Sequence, residues 1–170
     1  MISEPELPAW KPELDAIVGA RHGGQVEHVL GLLQKLDGRF PHVAEIAFQL
    51  AWTHDVLTQP REARPHYERA IALGLAANEL AGALIGLGST WRSLGEPARA
   101  AEILRAGRTQ FPNHREFDIF LALALHDLGD HTAALQLALT ALVETSDDPG
   151  VTAYQRTIRF QAVTLGGDRK

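Results

Sequence analysis

A chain of 170 residues that is 45% hydrophobic and 22% charged has the size and composition of one folded domain, not of a disordered or fibrous protein. Its net charge of −5, from 21 acidic and 16 basic residues, gives no general attraction to nucleic-acid phosphates or anionic lipid. With no cysteine there are no disulfides, no thiolate catalysis and no cysteine zinc site.

The N-terminus, from Met1 to Pro8, is acidic and broken by Pro5 and Pro8. It lacks the basic segment and apolar run of a secretory signal. No stretch approaches the roughly 18 apolar residues of a membrane span. Together with the missing cysteines, these features predict a cytoplasmic protein. Residues 1–9 read as a flexible arm. Ala and Leu dominate while aromatics make up only 6%, which suits close-packed helices better than a sheet.

Helical patterning begins at Lys11, with Pro12 in the first turn and Leu14, Ile17 and Val18 on one face. His22-Gly23-Gly24 stops it. A second helix over 25–36 carries Val26, Val29, Leu30, Leu33 and Leu36 at three- and four-residue spacings, and Phe40-Pro41 closes it. A third spans about 42–57, with Ala44, Ala47, Phe48, Ala51 and Trp52 in period. Pro60 opens a fourth, over about 61–73, with Ala63, Tyr67, Ala70 and Ile71 aligned. A linker at 74–79 is expected to be partly helical.

The fifth helix spans about 80–94 and holds Gly82, Gly86 and Gly88. Each glycine costs about 1 kcal/mol relative to Ala in a helix interior, so close packing must compensate. Gly95-Glu96-Pro97 turns into a sixth helix over about 98–108. Phe111-Pro112-Asn113 breaks it, and Asn113 with Glu116 forms a candidate capping box for a seventh helix running to about 128. Asp130 caps an eighth, 131–144. A ninth covers about 151–165, and residues 166–170 read as a flexible tail.

The helices repeat. Val29, Ala63, Ala100 and Ala134 are spaced by 34, 37 and 34 residues. In the same register fall Leu33, Tyr67, Leu104 and Ala138, and then Leu36, Ala70, Gly107 and Ala141. The turns align as Gly24, Thr58, Gly95 and Gly129, and the closing positions as Pro41, Leu75, Pro112 and Ser146. Ala51, Gly88 and Ala122 coincide in the first helices. A helix pair alone leaves an apolar face open, so such units stack and the last face needs a cap. The units are about 10–41, 44–75, 81–112 and 115–146, with a cap at 151–165, in a single domain over 10–165. The three surplus residues before Ala81 predict a longer linker or an extra helical turn.

This pattern resembles the tetratricopeptide repeat family, a 34-residue helix–turn–helix unit with small residues where its helices cross. Gly88, Trp91, Gly95, Ala100, Leu104 and Pro112 match best, followed by Ala122, Leu125, Gly129, Asp130, Ala134, Ala138 and Ala141. Residues 42–146 match well and residues 10–41 weakly. The resemblance implies an all-α fold: a right-handed alpha-alpha superhelix, or solenoid, of about four helix pairs plus a C-terminal capping helix. In this family the first helices line a concave groove. Carried over, the groove positions are Leu14, Val18 and Arg21; Glu45, Phe48, Gln49, Trp52 and Asp55; Ile85, Ser89 and Arg92; and Glu116, Ile119, Leu123, His126 and Asp127. For the apolar positions, packing against neighbouring helices competes with a ligand-facing role. Some members clamp a chaperone's carboxylate tail with Lys, Asn and Arg. Here Phe48, Trp52, Ile85 and Ser89 occupy those positions and only Arg21 and Arg92 offer a cation, so tail binding is disfavoured.

Chemistry finds little purchase. His126, Asp127, Asp130 and His131 are close enough in sequence for a metal, but they straddle a turn where polar residues belong. His54-Asp55 has no registered nucleophile. Gly23-Gly24 lacks a phosphate loop's Lys, and no H-E-x-x-H occurs. Arg61, Arg64 and Arg69 on the fourth helix, and Arg99, Arg105 and Arg108 on the sixth, read as a solvated convex surface, with Arg156 and Arg159 doing the same on the cap. The expectation is an adaptor or scaffold binding a protein or peptide, without enzyme activity, cofactor, metal, nucleic acid or membrane. The alternative is a self-associating module forming a homo-oligomer; a small helical enzyme or metal protein ranks below both.

Overall fold

A computed structural model describes residues 7–20 and 25–167. The expected arm over residues 1–6, Arg21 with the Gly23-Gly24 turn, and residues 168–170 of the expected tail lie outside the described residues. Among those described, every regular element is a helix. The helices are α1 (Lys11–Ala20), α2 (Val26–Arg39), α3 (Ala44–Val56), α4 (Pro60–Leu73) and α5 (Ala77–Ser93), then α6 (Pro97–Gln110), α7 (Glu116–Asp127), α8 (His131–Thr145), α9 (Pro149–Ala153) and α10 (Gln155–Val163). They form repeated helix pairs closed by a C-terminal cap. The chain divides into two compact units, one up to Gly86 and one from Leu87, so α5 contributes to both.

Three helix pairs share one turn. The N–H of Thr58 donates to Asp55 O and that of Gln59 to His54 O; Gly95 and Glu96 donate to Arg92 and Trp91; Gly129 and Asp130 donate to His126 and Leu125. This double closure satisfies carbonyls that a helix end leaves without partners. It requires a positive φ, which Gly95 (80°), Gly129 (85°) and Thr58 (55°) all adopt.

In the first unit, Leu14 and Ile17 of α1 join Val29, Leu33 and Leu36 of α2 and Ile46 and Leu50 of α3 in one core. Removing each such side chain from water stabilises the fold by roughly 1.5–3 kcal/mol. Ala51, Ala63 and Ala70 are fully buried where α3 and α4 cross. The glycines of α5 give the compensation their helix cost demands. A Cβ on Gly82 would lie 3.2 Å from Phe48, and one on Gly86 would run into the Tyr67 ring, so both aromatic side chains pack directly on backbone.

In the second unit, a Cβ on Gly88 would lie 2.6 Å from Leu104 and one on Gly107 would run into the Phe117 ring. Ala100, Ala122, Ala134 and Ala141, the repeat-register residues of the sequence, are buried. α10 caps this unit by packing on α8. There Ala162 is buried, the Gln155 side chain donates to Val143 O (2.6 Å) and the Gln136 side chain donates to Leu165 O (3.1 Å).

Of the two forms expected for the surplus before Ala81, the helical one is found, since α5 starts at Ala77. Two other expectations about the helices need adjustment. No capping box forms at Asn113; α7 begins at Glu116, and Arg115 precedes it without a side-chain cap. Glu116 instead meets the His114 ring, 2.8 Å away. The closing helix is two helices, interrupted at Tyr154.

The basic residues of the second helices are not simply solvated. Arg69 binds Asp37 at 2.7 Å, Arg99 lies 4.6 Å over the Trp91 ring, and Arg108 contacts the buried carboxylate of Asp118. Asp118 also meets Arg115, which reaches Glu144 of α8 at 2.8 Å, so charges knit α6, α7 and α8 together. An unpaired buried carboxylate is costly, and that cost accounts for its two arginine partners. Asp130 caps α8 as expected, accepting from the Ala133 N–H at 3.1 Å.

Candidate functional site

Of the candidate positions in the first unit, Leu14 belongs to the buried core and Val18 packs against it. In the first unit, Glu45, Phe48, Gln49 and Trp52 follow i, i+3, i+4, i+7 spacing and so form one stripe of α3. The Phe48 and Trp52 rings stack, with centroids 6.4 Å apart and planes at 21°. Phe48 also meets Tyr67 at 6.2 Å in a tilted arrangement. The two rings differ in role. Phe48 is half-buried between Tyr67 and Gly82, whereas Trp52 remains 44% exposed.

Asp55, one turn further, accepts a 2.7 Å hydrogen bond from the Tyr67 hydroxyl, which ties that carboxylate to the core. Sequence reasoning missed this contact, because nothing in the spacing of residues 55 and 67 advertises a bond between paired helices. It also missed Glu79, in the first turn of α5. Burial raises the pKa of Glu79, and the negative charge of Glu45 adds to the rise against a smaller opposing effect of Lys11. Ile85 on α5 is half-buried.

In the second unit, Ser89 of α5 is half-buried and Arg92 forms a two-pronged pair with Asp127 of α7, Nε to Oδ2 at 2.6 Å and Nη2 to Oδ1 at 3.3 Å. The two residues lie about one repeat apart, and that spacing is the signal for the pair. Arg92 therefore reaches a partner's carboxylate only in competition with Asp127. Ile119 and Leu123, one turn apart on α7, are 42% and 41% exposed. Neither serves as core, in contrast to Phe48.

At the N-terminal end of α7, burial pushes the Glu116 carboxyl up. Hydrogen bonds from its own backbone and from His114, with His114's charge, outweigh that and hold it below its ordinary value. At the other end, His126 and His131 approach with Nδ1 atoms 3.0 Å apart. Asp127 is occupied by Arg92 and Asp130 by its capping bond, and among the described residues no three metal-ligating groups converge. Arg21 lies outside the described residues. No helix among the described residues is long and apolar enough to cross a membrane.

Known folds resemble the chain throughout its length. A crystal structure of MamA protein shares 17% identity, covering 92% of this chain and 87% of the other, with a TM-score of 0.69. YrrB, described as a TPR protein with an unusual peptide-binding site, shares 18% identity over 93% of this chain and 87% of its own, with a TM-score of 0.66. A thermophilic TPR protein of Thermus thermophilus shares 17% identity over 95% of this chain and 93% of its own, with a TM-score of 0.63. These likenesses are of fold. No curated protein is close enough in sequence to match. A family model, the tetratrico peptide repeat, matches residues 44–165, which include all three well-registered units and the cap. On that match, and on the repeated turns and crossings described above, the chain belongs to the tetratricopeptide repeat family.

Proposed function

We propose that this protein is an adaptor that binds a protein or peptide through the first-helix faces that line the groove in its family. The observation that carries the reading is the exposure of large apolar side chains at those positions: Trp52 in the first unit, Ile119 and Leu123 in the second. Buried core accounts for Phe48 but not for these three. Aromatic and aliphatic anchors beside charged neighbours are the usual source of binding energy in such grooves. The peptide-binding site named for YrrB belongs to a protein of the same fold and adds support by analogy alone. The reading is non-enzymatic, with no cofactor, and the cysteine-free sequence favours a cytoplasmic setting. Self-association is the second reading, favoured by the exposed apolar residues of α10.

Selection of a displayed random peptide library on the immobilised protein, followed by calorimetric titration of the enriched peptides, tests the adaptor reading. Trp52→Ala is expected to weaken the selected peptide by about tenfold or more, the cost of truncating an anchor, with the helical circular dichroism unchanged. Equal affinity of parent and variant, and of a second variant Leu123→Asp, would remove both faces from consideration.

A further inference from the structure

The first unit carries an acidic pair beside its aromatic stack. On α3, Glu45 lies one turn before Phe48, and on α5, Glu79 lies one turn before Gly82. Phe48 packs on Gly82, where a Cβ would lie 3.2 Å from its ring, so both carboxylates flank the same crossing. Both residues are half-buried. Burial raises the pKa of Glu79, and the charge of Glu45 raises it further. In the other direction along α3, the Trp52 ring stacks on Phe48 and is 44% exposed.

Neither carboxylate has an ion-pair partner among the described residues. Lys11, whose charge opposes the rise at Glu79, is itself bonded to Asp15 at 2.6 Å. α3 contains no Lys or Arg, and α5 contains none before Arg92. The other acid of α3, Asp55, is occupied by the Tyr67 hydroxyl. Two like charges drawn partly out of water raise each other's energy, and a cation between them removes that cost. The exposed indole beside them favours an apolar group instead.

We propose that this face takes a basic peptide segment, with a Lys or Arg side chain between Glu45 and Glu79 and an apolar side chain against Trp52. This rests on the adaptor reading and names the chemistry of its partner. Charge complementarity selects the occupant: an acidic segment would add a third negative charge to a pair that already repels. The spacing sets the register. Glu45 and Trp52 are seven residues apart on one helix, about 10 Å at a rise of about 1.5 Å per residue, which an extended peptide spans in about three residues. The carboxylates orient the encounter, and the indole supplies the short-range attraction.

Selecting one displayed random peptide library in parallel on the full chain and on its Glu45→Gln, Glu79→Gln double variant tests the charge directly. Peptides enriched on the parent are expected to carry Lys or Arg, with an apolar residue about three positions away. On the double variant the basic preference is expected to vanish while the apolar one remains. A labelled synthetic copy of the most enriched peptide is expected to bind about tenfold more weakly to the double variant, and to the parent in about 0.5 M salt, which screens the charges. Should the double variant lose helicity, Glu45→Gln alone carries the comparison. Parent-selected peptides without basic enrichment overturn the proposal, and so does basic enrichment that survives on the variant. Calorimetric binding of calcium that the parent shows and the double variant loses would assign the carboxylates to a metal and overturn it as well. Non-basic peptides that Trp52→Ala weakens would sink this inference and keep the adaptor reading, whereas a parent that enriches no peptide would sink both.

Discussion

Thr58 holds a backbone geometry that the equivalent turns assign to glycine. Its φ of 55° matches the left-handed conformation of Gly95 and Gly129, and its N–H makes the same bond. A β-branched residue there is strained, because its Cβ crowds the carbonyl. The side chain is exposed, so nothing in packing demands it. Thr58→Gly is expected to stabilise the protein by about 1 kcal/mol, seen as a higher urea midpoint with unchanged slope. The equivalence of Thr58 with Gly95 and Gly129 was legible in the repeat register, as was the need for something to compensate Gly82, Gly86 and Gly88. The partners were not: Phe48, Tyr67 and Leu104 come from other helices. The Arg108–Asp118 contact was hidden for the same reason, since a charge on a second helix reads as solvated until the next helix places a buried carboxylate against it.

Between elements, the pairing of α3 with α4 creates a pH dependence. His54 and His66 stack, with centroids 5.4 Å apart and planes at 7°. Burial lowers the pKa of His66 first, and the positive charge of Arg69 and the coupling to His54 lower it further, against a smaller opposing effect of Asp37. The folded protein thus holds this imidazole neutral where the unfolded chain already takes a proton. The unfolded state binds more protons below about pH 6.5, so stability rises with pH in that range. Stability is expected to be fully present above about pH 6.5, to decline as pH falls from there through the lower folded-state value, and to level off below it. His66→Gln is expected to shrink the difference between urea midpoints at about pH 7.5 and about pH 5, and an equal difference in parent and variant would dismiss the mechanism. Most helix boundaries were legible because Gly and Pro punctuate them. The start of α7 was not, because His114 competes with Asn113 for Glu116. Nor was the break at Tyr154, where Gln155 turns its side chain to Val143 O of α8 and opens a new helix beside it.

At the scale of the whole molecule, repeat arrays are stabilised by nearest-neighbour contacts, so damage should stay local. The contact of α10 with α8 offers a test, because Ala162 is fully buried there and the two glutamine side-chain bonds flank it. Ala162→Glu places a carboxylate with no partner in that interface, which costs more than the contact supplies and undocks the cap. With the cap released, α8 loses its outer neighbour, and α7 loses support through the Arg115–Glu144 bond that joins it to α8. Hydrogen exchange of the full chain is then expected to show protection lowered by about tenfold to a hundredfold in α8, less in α7, and unchanged in α2 and α3, whose core of Val29, Leu33, Leu36, Ile46 and Leu50 is complete within the first unit. A uniform loss of protection over all helices would mean that the chain unfolds as one cooperative body, and that the cap stabilises every repeat rather than only the one it covers.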